Sequence, residues 1–149
     1  MTTTLYHDTT HTPWHLWVVG TLALLWNGFG AYDYIMSVTQ GEAYYRASGM
    51  TDGLIAYYVS MPGWVYVPWT LGIGGAVVGT VLLLMRSSVA VHAFVASLIG
   101  SIVSNAAAIA LSNGAFFENG MPVMPAIIFA VCVLLVAYSI WMTRKGVLR

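Results

Sequence analysis

Four apolar stretches, at residues 14–36, 64–85, 89–111 and 123–142, run with almost no charge inside them. Each holds the ~20 residues that an α-helix needs to cross a hydrocarbon core of about 30 Å. In lipid every backbone N–H and C=O must find its partner inside the segment, so stretches of this length fold as helices. The expectation is an all-α, polytopic membrane protein: a four-helix transmembrane bundle forming a single domain over residues 1–149, with short amphipathic helices in the link between the first two spans. Composition agrees, with 59% hydrophobic residues, 7% charged residues and a mean hydropathy of +0.79. The formal net charge is zero, which gives no footprint for nucleic acid. The lipid bilayer is the expected partner.

The N-terminal segment, MTTTLYHDTTHTP, has no Lys or Arg. It therefore lacks the positive region of a secretory signal, and the following apolar run is too long for one. That run reads as the first span. The basic residues orient the chain. Arg144, Lys145 and Arg149 follow the fourth span, Arg86 lies between the second and third, and Arg46 alone lies in the long link at 37–63. The positive-inside rule then puts both termini in the cytoplasm. Trp14, Trp17, Tyr138 and Trp141 at one interface, and Tyr32, Tyr34, Trp64, Tyr66 and Trp69 at the other, form aromatic belts. In the long link, Thr51 is placed to cap a short helix over 54–60 that ends before Pro62-Gly63. Pro122 and Pro125 mark the start of span four, where a missing N–H matters little.

Burial alone does not hold helices together in lipid, whereas close backbone approach through small residues does. Projection at 100° per residue finds a small face on each span. Gly20, Ala23, Asn27, Gly30, Ala31 and Tyr34 share one in span one. Pro68, Gly72, Gly75, Ala76 and Gly79 share one in span two. Span three offers Ala90, Ala93, Ser97, Ser101, Ser104 and Ala108, and span four a weaker stripe of Ala126, Ala130 and Ala137. Gly30, Gly72, Gly75, Gly79, Ser97 and Ser101 are the expected packing positions of a bundle with a tight centre.

Three amide or acidic residues lie within the spans. Asn27 and Asn105 point inward and either bond each other, bond a neighbouring serine, or line a site for a small solute. Asp33, about one turn from the end of span one, is either a functional acid or a rim carboxylate that faces water or pairs with Arg46. Its projection, some 120° from Asn27 at 100° per residue, keeps those two side chains apart.

His7, His11 and His15 recur every four residues beside Asp8, but threonines and Pro13 interrupt any helix that would bring them to one metal ion. His92 falls at an interface. The single cysteine, Cys132, lies inside span four and reads as a small packing residue. No catalytic motif, nucleotide loop, haem pair or copper-type methionine cluster stands out. The chain therefore reads as non-enzymatic, without cofactor or metal.

The run Leu25-Trp26-Asn27-Gly28-Phe29-Gly30-Ala31-Tyr32-Asp33-Tyr34, with Met61-Pro62-Gly63-Trp64 and Leu111-Ser112-Asn113-Gly114, resembles a family of small four-span proteobacterial inner-membrane proteins. Some members of that family are labelled sugar transporters. The resemblance implies a bacterial inner membrane and four helices, and carries over no catalytic or binding residue. Two functions are open: an accessory or scaffolding subunit among other membrane protein subunits of a larger complex, or a small homo-oligomeric transporter or channel for a polar solute such as a sugar.

Overall fold

A computed structural model describes residues 11–120 and 123–149. All regular structure among them is helical: α1 (Trp14–Gln40), α2 (Glu42–Ala47), α3 (Asp52–Ser60), α4 (Tyr66–Leu84), α5 (Ala90–Leu111) and α6 (Val123–Arg144), with 3₁₀ turns at Gly63–Val65 and Ala115–Gly120. Three of these stretches, Gly63–Leu84, Ala90–Leu111 and Val123–Arg144, are both long and apolar enough to cross a membrane. Helix α1 is long enough at 27 residues, but His15, Asn27 and Asp33 dilute its apolar character. Pro122 lies outside the described residues, and Pro125 sits in the first turn of α6.

The long helices pack in chain order, α1 on α4, α4 on α5 and α5 on α6. The end that holds residues 11–16 and 142–149 is sealed. Leu16, Leu83 and Met142 are fully buried there, with Phe94, Val147 and Leu148 against them. The last residues fold back onto the α4–α5 turn: the Ser88 amide donates to the Arg149 carbonyl at 2.9 Å, and the Arg149 amide donates to the Arg86 carbonyl at 2.9 Å.

Helices α4 and α5 share the most extensive contact, and glycine makes it possible. A Cβ on Gly75 would lie 2.9 Å from the Ala93 carbonyl oxygen, and one on Gly72 3.2 Å from Ser101 Oγ. Gly79 makes room for the Phe94 ring. Gly100 is the tightest position on this face, since a Cβ there would sit 2.5 Å from the Gly72 nitrogen and 2.6 Å from the Pro68 oxygen. In the space so opened, Ser97 Oγ donates to the Gly72 carbonyl at 2.6 Å.

Two expectations are corrected. The alanine stripe of span four does not pack: Ala126, Ala130 and Ala137 are exposed, and α6 instead buries Cys132, Leu135, Ser139 and Met142. Larger side chains fill this contact, which is less extensive than that of α4 with α5. The tight centre is confined to the sealed end and the α4–α5 contact. Gly30, expected on the tight face, is half-buried, with only Ile73 Cδ1 near its Cβ position at 3.9 Å.

The other end is built differently. Gly41 leaves α1 with φ of 54°, a conformation that suits a residue without Cβ, and the chain turns directly into α2. Thr51 caps α3 by accepting from the Leu54 amide at 3.3 Å. Tyr57, Met61 and Val65 then pack on Ala107 and Ala108 near the end of α5. The link thus lies across the helix ends as a cover.

Candidate functional site

Beneath that cover lies a cavity of about 210 Å³, bounded by α1, α3, α4, α5 and the start of α6. It is smaller than the ~300–1,000 Å³ of ordinary ligand pockets and matches about seven waters at ~30 Å³ each. Its deepest polar residue is Ser101, ten residues from the end of α5, or about 15 Å at 1.5 Å per residue.

Sequence reasoning named three polar residues, and the structure separates them into two groups. Asn27 is buried away from the cavity, where its Nδ2 donates to Thr80 Oγ1 at 2.8 Å and to the Ala76 carbonyl at 3.3 Å. Thr80 in turn donates to the same carbonyl at 2.8 Å. Asn27 therefore bonds α4 rather than Asn105 or a serine. Asp33 and Asn105, by contrast, both line the cavity, together with Ser101 and Ser104.

Within the cavity wall, Asn105 Nδ2 donates to the Ser101 carbonyl at 2.8 Å, and Ser104 Oγ donates to the Gly100 carbonyl at 2.9 Å. Ser101 Oγ lies 3.9 Å from Cys132 Sγ. Asp33 Oδ1 accepts from the Tyr44 hydroxyl at 2.7 Å. The alternative partner, Arg46, turns away to Glu42 at 2.7 Å and Asp52 at 3.3 Å. Among the described residues no cation lies in salt-bridge range of Asp33.

Aromatic rings complete the wall. Tyr57, Tyr58 and Trp69 line the cavity, with centroids 5.1 Å apart for Tyr57–Tyr58 and 5.8 Å for Tyr58–Trp69. Behind them Tyr45 stacks on Tyr58 at 5.1 Å, and Tyr34 meets Trp69 edge-on at 5.0 Å while its hydroxyl lies 2.6 Å from Thr70 Oγ1. Burial, together with Tyr57, Tyr45 and the Asp33 charge, pushes the Tyr58 phenol up to about 12. The hydrogen bond to Asp33, then burial, raises Tyr44. A second groove, almost wholly apolar and of about 260 Å³, adjoins the cavity between α5 and α6 and shares Ser101, Asn105, Phe116 and Pro125 with it.

Among the described residues the histidines do not assemble. His7 lies outside the described residues, His11 is exposed, and His15 Nδ1 lies 2.7 Å from the Tyr138 hydroxyl with its ring stacked on Trp141 at 5.5 Å. Among the described residues no group of three His, Cys, Asp or Glu is placed to hold a metal ion.

Neither a family model, nor a curated protein, nor a solved structure matches the chain.

Proposed function

We propose that this chain is a non-enzymatic integral membrane protein whose α1, α4, α5 and α6 all cross the bilayer, and that it serves as an accessory or scaffolding subunit of a larger membrane complex. The observation that carries this reading is the asymmetry of α6. It rests on α5 through Cys132, Leu135, Ser139 and Met142 and leaves Ile127, Phe129, Val133 and Leu134 facing outward. That outer surface suits a partner helix as well as lipid. The sealed end argues against an open pore through one copy. The length of α1 and the pairing of its buried amide with α4 support the fourth crossing. The distribution of basic residues supports cytoplasmic termini. The family resemblance supports a bacterial inner membrane.

Gentle detergent extraction from native membranes, followed by sizing and mass spectrometry, tests this reading. Stoichiometric co-migration with other membrane subunits is expected. A bare monomer or homo-oligomer would overturn it in favour of the second reading, a small homo-oligomeric transporter or channel for a polar solute. The specific observation favouring the second is the cavity that gathers Asp33, Ser101, Ser104 and Asn105. Unchanged uptake by Asp33→Asn vesicles would remove Asp33 from that scheme.

A further inference from the structure

The cavity wall holds the carboxylate side chain of Asp33, and among the described residues no cation lies within salt-bridge range of it. Asp33 accepts one hydrogen bond, from Tyr44, and meets no cation, because Arg46 is held by Glu42 and Asp52. The neighbouring polar groups add acceptor character. Ser104 gives its hydroxyl hydrogen to Gly100, and Asn105 gives an amide hydrogen to Ser101, which leaves their oxygens as acceptors in the wall. The rings of Tyr57, Tyr58 and Trp69 line the same space as a packed aromatic cluster, and aromatic rings carry negative π faces. A carboxylate beside clustered aromatic faces is complementary to a cation of low hydration, which gains from ring quadrupoles within about 6 Å. A strongly hydrated metal ion would need several more oxygen ligands than this wall supplies. An anion would meet Asp33.

We propose that the cavity enclosed by Asp33, Tyr57, Tyr58, Trp69 and Asn105 is a binding site for a quaternary ammonium group. The adjoining apolar groove at Phe116 and Phe129 takes an alkyl substituent on that group. The same head occurs on free small cations and on choline-bearing lipids, and the site recognises the head. This inference stands apart from the accessory-subunit reading, since a scaffold and a transporter alike could hold such a ligand.

The test uses the full-length protein in nanodiscs of phosphatidylglycerol, titrated with choline and followed by tryptophan emission and calorimetry. Its neutral isostere, 3,3-dimethyl-1-butanol, is titrated in parallel. Saturable choline binding is expected, weakened about tenfold by the isostere, by Asp33→Asn and by Trp69→Leu, the order of one desolvated cation–π or charge contact. Circular dichroism and thermal unfolding of Asp33→Asn, compared with the parent protein, separate loss of the carboxylate charge from misfolding. If Asp33→Asn does not fold, the isostere comparison on the parent protein decides alone. Repeating the titration in phosphatidylcholine discs separates the sources: loss of choline binding there identifies a lipid headgroup as the occupant, and unchanged binding identifies a free cation. Absence of saturable choline binding in phosphatidylglycerol discs, or equal binding of the neutral isostere, overturns the proposal.

Discussion

The Asn27 amide donates to the Thr80 hydroxyl across 2.8 Å, joining the middle of α1 to α4. Both side chains are buried, and Thr80 passes its own hydrogen to the Ala76 carbonyl, so the three groups satisfy one another. Asn27→Leu should weaken the α1–α4 contact by about 0.6 kcal/mol, with an upper end near 1.7, as interhelical bonds do in membranes. Thr80→Val should cost a similar amount. A double-mutant cycle on unfolding in mixed micelles measures the coupling; strictly additive losses would show that the bond contributes nothing.

Glycine substitutions should separate backbone contact from side-chain contact. Gly100→Ala drives a methyl into the Gly72 nitrogen and the Pro68 oxygen, neither of which is free to move, and should cost about 1–3 kcal/mol as overpacking does. Gly20→Ala presses on Cδ2 and Cγ of Leu84, a side chain that can swing aside, and should cost less than Gly100→Ala. Gly74→Ala meets nothing and should fall between neutral and a gain of up to ~1 kcal/mol from helix propensity. Thermal unfolding of the three variants in one detergent checks the order.

The cover over the cavity depends on α3, and α3 starts at a single side-chain cap. Thr51→Ala removes the acceptor for the Leu54 amide and should cost about 1 kcal/mol locally. Faster hydrogen exchange over α3, with α4 and α5 unchanged, is the expected result. Uniform exchange across the chain would show that the cap does not act locally.

Tyr58 should titrate apart from exposed tyrosines. Its phenol is raised in the folded state to about 12 from an ordinary 10.0, so folding favours the neutral form. The corresponding stability is complete below pH 10.0 and is lost as pH rises toward about 12. Tyr58→Phe should flatten the fall in stability over that window, read by unfolding at stepped pH. An unaltered pH profile in the variant would assign the effect elsewhere.

The helices and the α4–α5 face were legible because small residues recur there at helical spacing, and Gly72, Gly75, Gly79 and Ser97 meet where projection puts them. Gly100 was missed, although its place between Ser97 and Ser101 on the same face was the available signal. In α6 the alanines misled, because small size indicates packing only where backbones approach closely, and α6 packs through Leu135 and Met142. The cavity was not legible at all. Asp33 and Asn105 are 72 positions apart in the sequence, and only the fold of the link brings Tyr57 and Tyr58 over both. Arg46 was a natural partner for Asp33 by charge, but Glu42 one helical turn away captures it first.

The backbone contact of α4 with α5 has a consequence for assembly. These two helices are joined by the short turn at 85–89 and are fitted through glycines that leave no room for lipid between them. They form a hairpin that can complete as soon as both segments are in the bilayer, with α1 and α6 joining afterwards and meeting each other through His15, Tyr138 and Trp141. Slowest amide exchange in that hairpin and earlier opening at the flanks would record this order, and equal protection of all four helices would contradict it. The protein would then be a rigid spine clasped by two outer helices that latch to each other at one end.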